Sequence, residues 1–117
     1  MNGSEKQINW AKEIVAGEIA AMEKHLNCSR QRVALDGEKF PALRQMLRAQ
    51  EIACAHAIAA ISQIDSAKTI IDNRNVRYYV LPTILKNLVG EELEIVRGFV
   101  QTQTAATRGS LMSLLVG

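Results

Sequence analysis

The chain has 117 residues, with 14 Lys and Arg against 12 Asp and Glu and a net charge of +2. That length sets one domain with a modest core, the hydrophobic share of 48% excludes a disordered tail, and the near balance of charge is too weak to name nucleic acid as the partner. Fifteen alanines beside two Phe, two Tyr and one Trp point to an all-α fold of closely approaching helices and against a sheet.

The first helix opens on a capping box in which Ser4 and Gln7 can satisfy each other's backbone amides. Ile8, Ala11, Val15, Ile19, Met22 and Leu26 follow at helical spacing and build one apolar stripe. Trp10, Ile14, Gly17 and Ala21 fall on a flanking face, where small residues would let another backbone come near. The stripe continues to Val33, and the helix is expected to end at Asp36 and Gly37.

Pro41 suits the first turn of a second helix. Its stripe of Leu43, Met46, Leu47, Cys54, Ala57, Ile58, Ile61 and Ile64 can be extended through Ala67 and Ile71 as one element that stops near Asn73. A short non-helical, extended connection near 74–82 follows, with Pro82 restarting helix. In the third helix Ile84, Leu85, Leu88, Ile95, Val96 and Phe99 share one side. Gly90 falls on the polar side, so the helix is expected to pass through it. The pattern as a whole predicts a bundle of about three long helices in a single domain over residues 1–117.

The end of the chain, "TRGSLMSLLVG", carries Leu111, Met112, Leu114, Leu115 and Val116. These groups must fold back on the bundle or meet another chain. With the two-sided first helix they nominate an oligomer contact at Trp10, Ile14, Gly17, Ala21, Leu111, Leu114 and Leu115, and a homo-oligomer.

Candidate chemistry is sparse. His25 and His56 have no second ligand at the spacing that makes a metal face on a helix, so no metal site is expected. Nor does a phosphate loop, dinucleotide fingerprint or nucleophile elbow occur, which leaves no catalytic residue and no cofactor to nominate. Cys28 and Cys54 are expected as reduced thiols. "IACAHAIAAI" is half the length of a membrane span, and the start "MNGSEKQINW" lacks the basic and apolar regions of a secretory signal. A cytoplasmic location without membrane contact is the expectation.

Two corners are locally basic: Arg30, Arg32, Lys39, Arg44 and Arg48 in the first, and Lys68, Arg74, Arg77 and Lys86 in the second. Tyr78 and Tyr79 sit within the second. Arginine and tyrosine are the residue types most often found at protein hot spots, which nominates Lys68, Arg74, Arg77, Tyr78 and Tyr79 as a partner-binding surface. Basic groups interleaved with aromatics can also hold phosphates and stack bases, so a nucleic-acid-binding module is the alternative.

Ser4, Lys6, Gln7, Trp10, Ala11 and Ile14, followed by Ala67, Lys68, Ile71, Asp72, Asn73 and Arg74, resemble a motif pair of small or modular uncharacterised bacterial and phage proteins: S-x-K-Q-x-x-W-A-x-x-I, then A-K-x-W-I-D-N-R. The match covers about a dozen positions, and Ile70 stands where that pattern carries tryptophan. The resemblance implies a helical module in a phage or mobile-element context and carries no activity with it. The residues themselves suggest that the two motifs meet, with Trp10 beside the end of the second helix and Asp72 and Arg74 pairing with each other or with Lys6 and Glu5. The expected function is a small accessory or inhibitory protein that docks on a protein target, an anti-CRISPR being one instance, and not an enzyme.

Overall fold

The computed structural model describes residues 1–101 and 111–115, about 80% of them helical and none in a strand. Among the described residues the main helices follow in order: α1 Glu5–Asp36, α2 Ala42–Ser62, α3 Ala67–Asp72, α4 Val76–Tyr79, α5 Leu81–Asn87 and α6 Gly90–Gln101. Two are long and the rest short, where the sequence pattern suggested about three long ones. At about 1.5 Å per residue, α1 alone accounts for most of the molecule's 52 Å length.

The capping box forms as the sequence indicated: Gln7 N donates to Ser4 Oγ at 3.2 Å, and Ser4 N donates to Gln7 Oε1 at 3.0 Å. α1 ends where predicted, with Gly37 N–H donating to the Val33 carbonyl at 2.8 Å. Its stripe meets α2 and α3 through buried Ala11, Met22 and Leu26. α2 presents buried Ala49, Ala53, Ala57 and Ala60, small side chains that let neighbouring helices approach closely.

The second predicted helix is broken. Asn2 lies beside Ser66 in an isolated parallel bridge, donating to the Asp65 carbonyl at 2.6 Å and accepting from Ala67 N at 2.9 Å. Those backbone groups are thereby withdrawn from the helical ladder. Ser66 is extended and caps α3 by accepting from Thr69 N at 3.3 Å, which compensates an amide that a continuous helix would have used. Gly3 makes this strap possible, since its φ is +143° and a Cβ there would meet the Ala67 Cβ at 3.0 Å.

The expected extended connection at 74–82 is helical for most of its length. Only residues 73–75 are irregular; α4 then passes into α5 through Val80 alone. Val76, Val80 and Ile84 recur every fourth residue and are all buried, as are Leu81 and Leu88, so helix places this run of β-branched and leucine side chains in the core where an extended chain would expose half of it. Pro82 marks the seam because it has no N–H to offer the preceding turn.

Gly90 also departs from expectation. Its φ is +62°, and it separates α5 from α6 after the extended Leu88. The left-handed conformation turns the chain so that Val96 and Val100 of α6 reach the core beside α2.

Leu111, Leu114 and Leu115, nominated as oligomer contacts, are instead buried in the core of their own chain. Burial against the bundle removes their apolar surface from water without a second copy. Val116 and residues 102–110 lie outside the described residues. Of the other nominees, Trp10 and Gly17 are exposed, whereas Ile14 and Ala21 are half-buried.

Candidate functional site

The two sequence motifs do meet. α3 packs on the start of α1, and the Arg74 guanidinium lies over the Trp10 ring at 4.6 Å from its centroid. Cation and aromatic face attract through the ring quadrupole. Arg74 Nε donates to the Ile71 carbonyl at 3.3 Å, so the guanidinium is held by two contacts. Asn73 closes α3 by donating from Nδ2 to the Thr69 carbonyl at 2.9 Å. Asp72 pairs with Lys68, one turn earlier on the same helix at 3.5 Å, and not with Arg74 or Lys6 as the sequence suggested. Spacing of four residues on one helix makes that partner the nearest cation.

These residues open onto a surface cleft of about 530 Å³ lined by Asp72, Asn73, Arg74, Asn75, Tyr78, Tyr79 and Pro82. Tyr78 is 52% exposed, Tyr79 45% and Trp10 43%. Four of the five nominated partner-binding residues, Lys68, Arg74, Tyr78 and Tyr79, are therefore solvent-facing on one corner. Trp10 joins them by packing, as the meeting of the two motifs suggested.

Arg77 is turned the other way. Its Nε donates to Glu18 Oε2 at 2.7 Å and its Nη1 to the Leu115 carbonyl at 2.8 Å, with the Arg77 and Glu18 side chains only 15% and 17% exposed. The nominated binding residue is thus occupied in tying α4 to α1 and to the returning chain. Two further side chains hold the same segment. His25 is hydrogen-bonded to the backbone of Ser113 and Leu114, and Cys54 Sγ donates to the Leu114 carbonyl at 3.7 Å. Burial holds the His25 imidazole below its ordinary value, reinforced by the Arg77 charge and opposed by those two backbone bonds. Burial likewise pushes the Cys54 thiol up to about 11. Gln50 Nε2 lies 3.1 Å from His25 Nε2, whose neutral ring can accept there while Nδ1–H serves the chain end.

Both cysteines are free, Cys28 exposed and Cys54 buried. Among the described residues no cluster of three His, Cys, Asp or Glu could hold a metal ion, and no helix is long and apolar enough to cross a membrane. Comparison with family models, curated proteins and solved structures gave no match.

Proposed function

We propose that the chain is a small helical accessory or inhibitory protein that docks on a larger protein through the corner formed by Trp10, Arg74, Tyr78 and Tyr79. The supporting observation is the exposure of three aromatic rings and an arginine within one corner of a chain that has only five aromatics in all. Large rings left in solvent are costly in a monomer and are the side chains that dominate association energies. A phage or mobile-element setting, with an anti-defence role such as an anti-CRISPR as one instance, follows from the motif resemblance alone.

The nucleic-acid alternative draws on the basic corners, where four of the nine cations are matched by a carboxylate. Arg30 pairs with Glu51, Arg48 with Glu91, Lys68 with Asp72 and Arg77 with Glu18. Phosphate binding gains from unpaired cations that release counterions, so these four pairs weaken the nucleic-acid reading, and the exposed aromatic rings favour the protein partner.

The test is capture from a bacterial lysate by the parent and by a Tyr78→Ala, Tyr79→Ala double variant, each with and without nuclease. A protein retained by the parent alone, regardless of nuclease, is expected. Retention that nuclease abolishes, or that the double variant preserves, would overturn the proposal. Self-association is a separate proposal that rests on exposed Trp10 and Gly17, and a monomer mass by light scattering at micromolar concentration would end it.

A further inference from the structure

We infer that the corner takes an acidic segment of its partner, with a partner carboxylate on Arg74 and the adjoining apolar residue on Tyr78 and Tyr79; this deepens, and rests on, the docking reading above. Charge at the cleft carries the argument. Lys68 is matched by Asp72 at 3.5 Å and Arg77 by Glu18 at 2.7 Å, while among the described residues no carboxylate pairs with Arg74. One uncompensated cation therefore stands in a cleft whose other lining groups, Asn73, Asn75, Tyr78, Tyr79 and Pro82, are neutral apart from the Asp72 that Lys68 already holds.

Geometry prepares that cation for a planar acceptor. The position over the Trp10 ring at 4.6 Å and the Nε bond to the Ile71 carbonyl restrain the guanidinium and leave its two Nη groups as a fork. A fork of parallel N–H donors matches the two oxygens of a carboxylate, and a pre-oriented fork loses less side-chain entropy on binding. The half-exposed rings of Tyr78 and Tyr79 beside it offer flat apolar surface to the residue next to the acid. A nucleic-acid strand would present a row of phosphates, for which this cleft holds a single unmatched cation.

Selection of a displayed random dodecapeptide library on the full chain tests the inference, followed by affinity measurement with the synthetic peptides selected. Peptides enriched in Asp and Glu over the input library are expected. Their affinity should fall about tenfold for Arg74→Gln, the loss that accompanies removal of one charge-assisted pair. Arg74→Lys should fall between, and replacing the peptide's acids with their amides should match the Arg74→Gln loss. Arg74→Gln loses its contact with Trp10 and its bond to the Ile71 carbonyl, so a small drop in melting temperature is expected, and a variant still fully folded at the assay temperature separates lost binding from lost fold. Selected peptides without acids that still require Tyr78 and Tyr79 would overturn the acidic segment and leave docking at the corner standing. Peptides indifferent to Arg74, Tyr78 and Tyr79 alike would overturn both. Failure to enrich any sequence, or tighter binding of an oligothymidine to the parent than of any selected peptide, would also overturn the inference.

Discussion

Arg77 and Glu18, 59 residues apart in sequence, meet through a 2.7 Å hydrogen bond between guanidinium Nε and carboxylate, and the same guanidinium reaches the Leu115 carbonyl at 2.8 Å. Replacing Arg77 with alanine leaves a mostly covered carboxylate and a carbonyl without their donor. The expected loss is about 2–3 kcal/mol, in the range for hydrogen bonds to charged groups left unmade. Glu18→Gln should cost less, because the amide oxygen still accepts. Urea unfolding of both variants checks the order; an Arg77→Ala midpoint equal to the parent's would show that the tie contributes nothing.

His25 makes stability depend on pH in a defined direction. Its folded value is depressed from 6.5, so below about pH 6.5 the unfolded chain binds a proton that the folded chain refuses. Stability is flat in this group above that pH and falls as pH drops through the window, by at most ~1.4 kcal/mol per pH unit. Urea midpoints between pH 7.5 and 5.5 should decline for the parent and less steeply for His25→Gln. Equal slopes would assign the decline to other groups.

The two thiols should react at different rates. Cys28 is exposed, whereas Cys54 is buried with its thiol pushed up to about 11, leaving roughly one part in a thousand as thiolate at pH 8. Iodoacetamide should add one label to the native protein and two in urea. Mass spectrometry showing two labels at native rates would mean that the α2 core opens readily.

Two glycines should respond with opposite signs to alanine. Gly17 lies exposed within α1 with open space where an alanine methyl would sit, so Gly17→Ala should stabilise by about 0.5–1 kcal/mol. Gly90 holds φ +62°, and Gly90→Ala should destabilise by about 1–2 kcal/mol from left-handed backbone strain. Thermal melts of the pair give the signs directly; stabilisation by Gly90→Ala would mean that one helix runs through the position.

Asp72→Ala is expected to cost only about 0.3–0.5 kcal/mol, the value of an exposed pair one helical turn apart, since its partner is surface Lys68. Asn73→Ala should cost more, up to about 1 kcal/mol, because it removes the half-buried side-chain bond to the Thr69 carbonyl, while the backbone N–H bond to the same carbonyl remains. Chemical unfolding of the two variants should preserve that ranking.

The features legible in the sequence are those written within a turn or two of helix. Ser4 and Gln7 announce the start of α1, Gly37 its end, and alanine content with helical spacing sets the all-α class. The burial of Val76, Val80 and Ile84 was legible in the same way, through fourth-residue spacing that the neighbouring Pro82 obscured. Most of the corner was visible too, because Arg74, Tyr78 and Tyr79 are sequence neighbours. What tertiary structure alone decided depends on partners far along the chain. Asn2 breaks the second helix by bonding at Asp65 and Ala67, and Glu18 turns Arg77 from the surface to the interior. Helical periodicity states which face of an element is apolar, but not which distant element will cover it. The fate of Leu111, Leu114 and Leu115 was decided the same way: their hydrophobicity required burial, and only the packed bundle supplied the place.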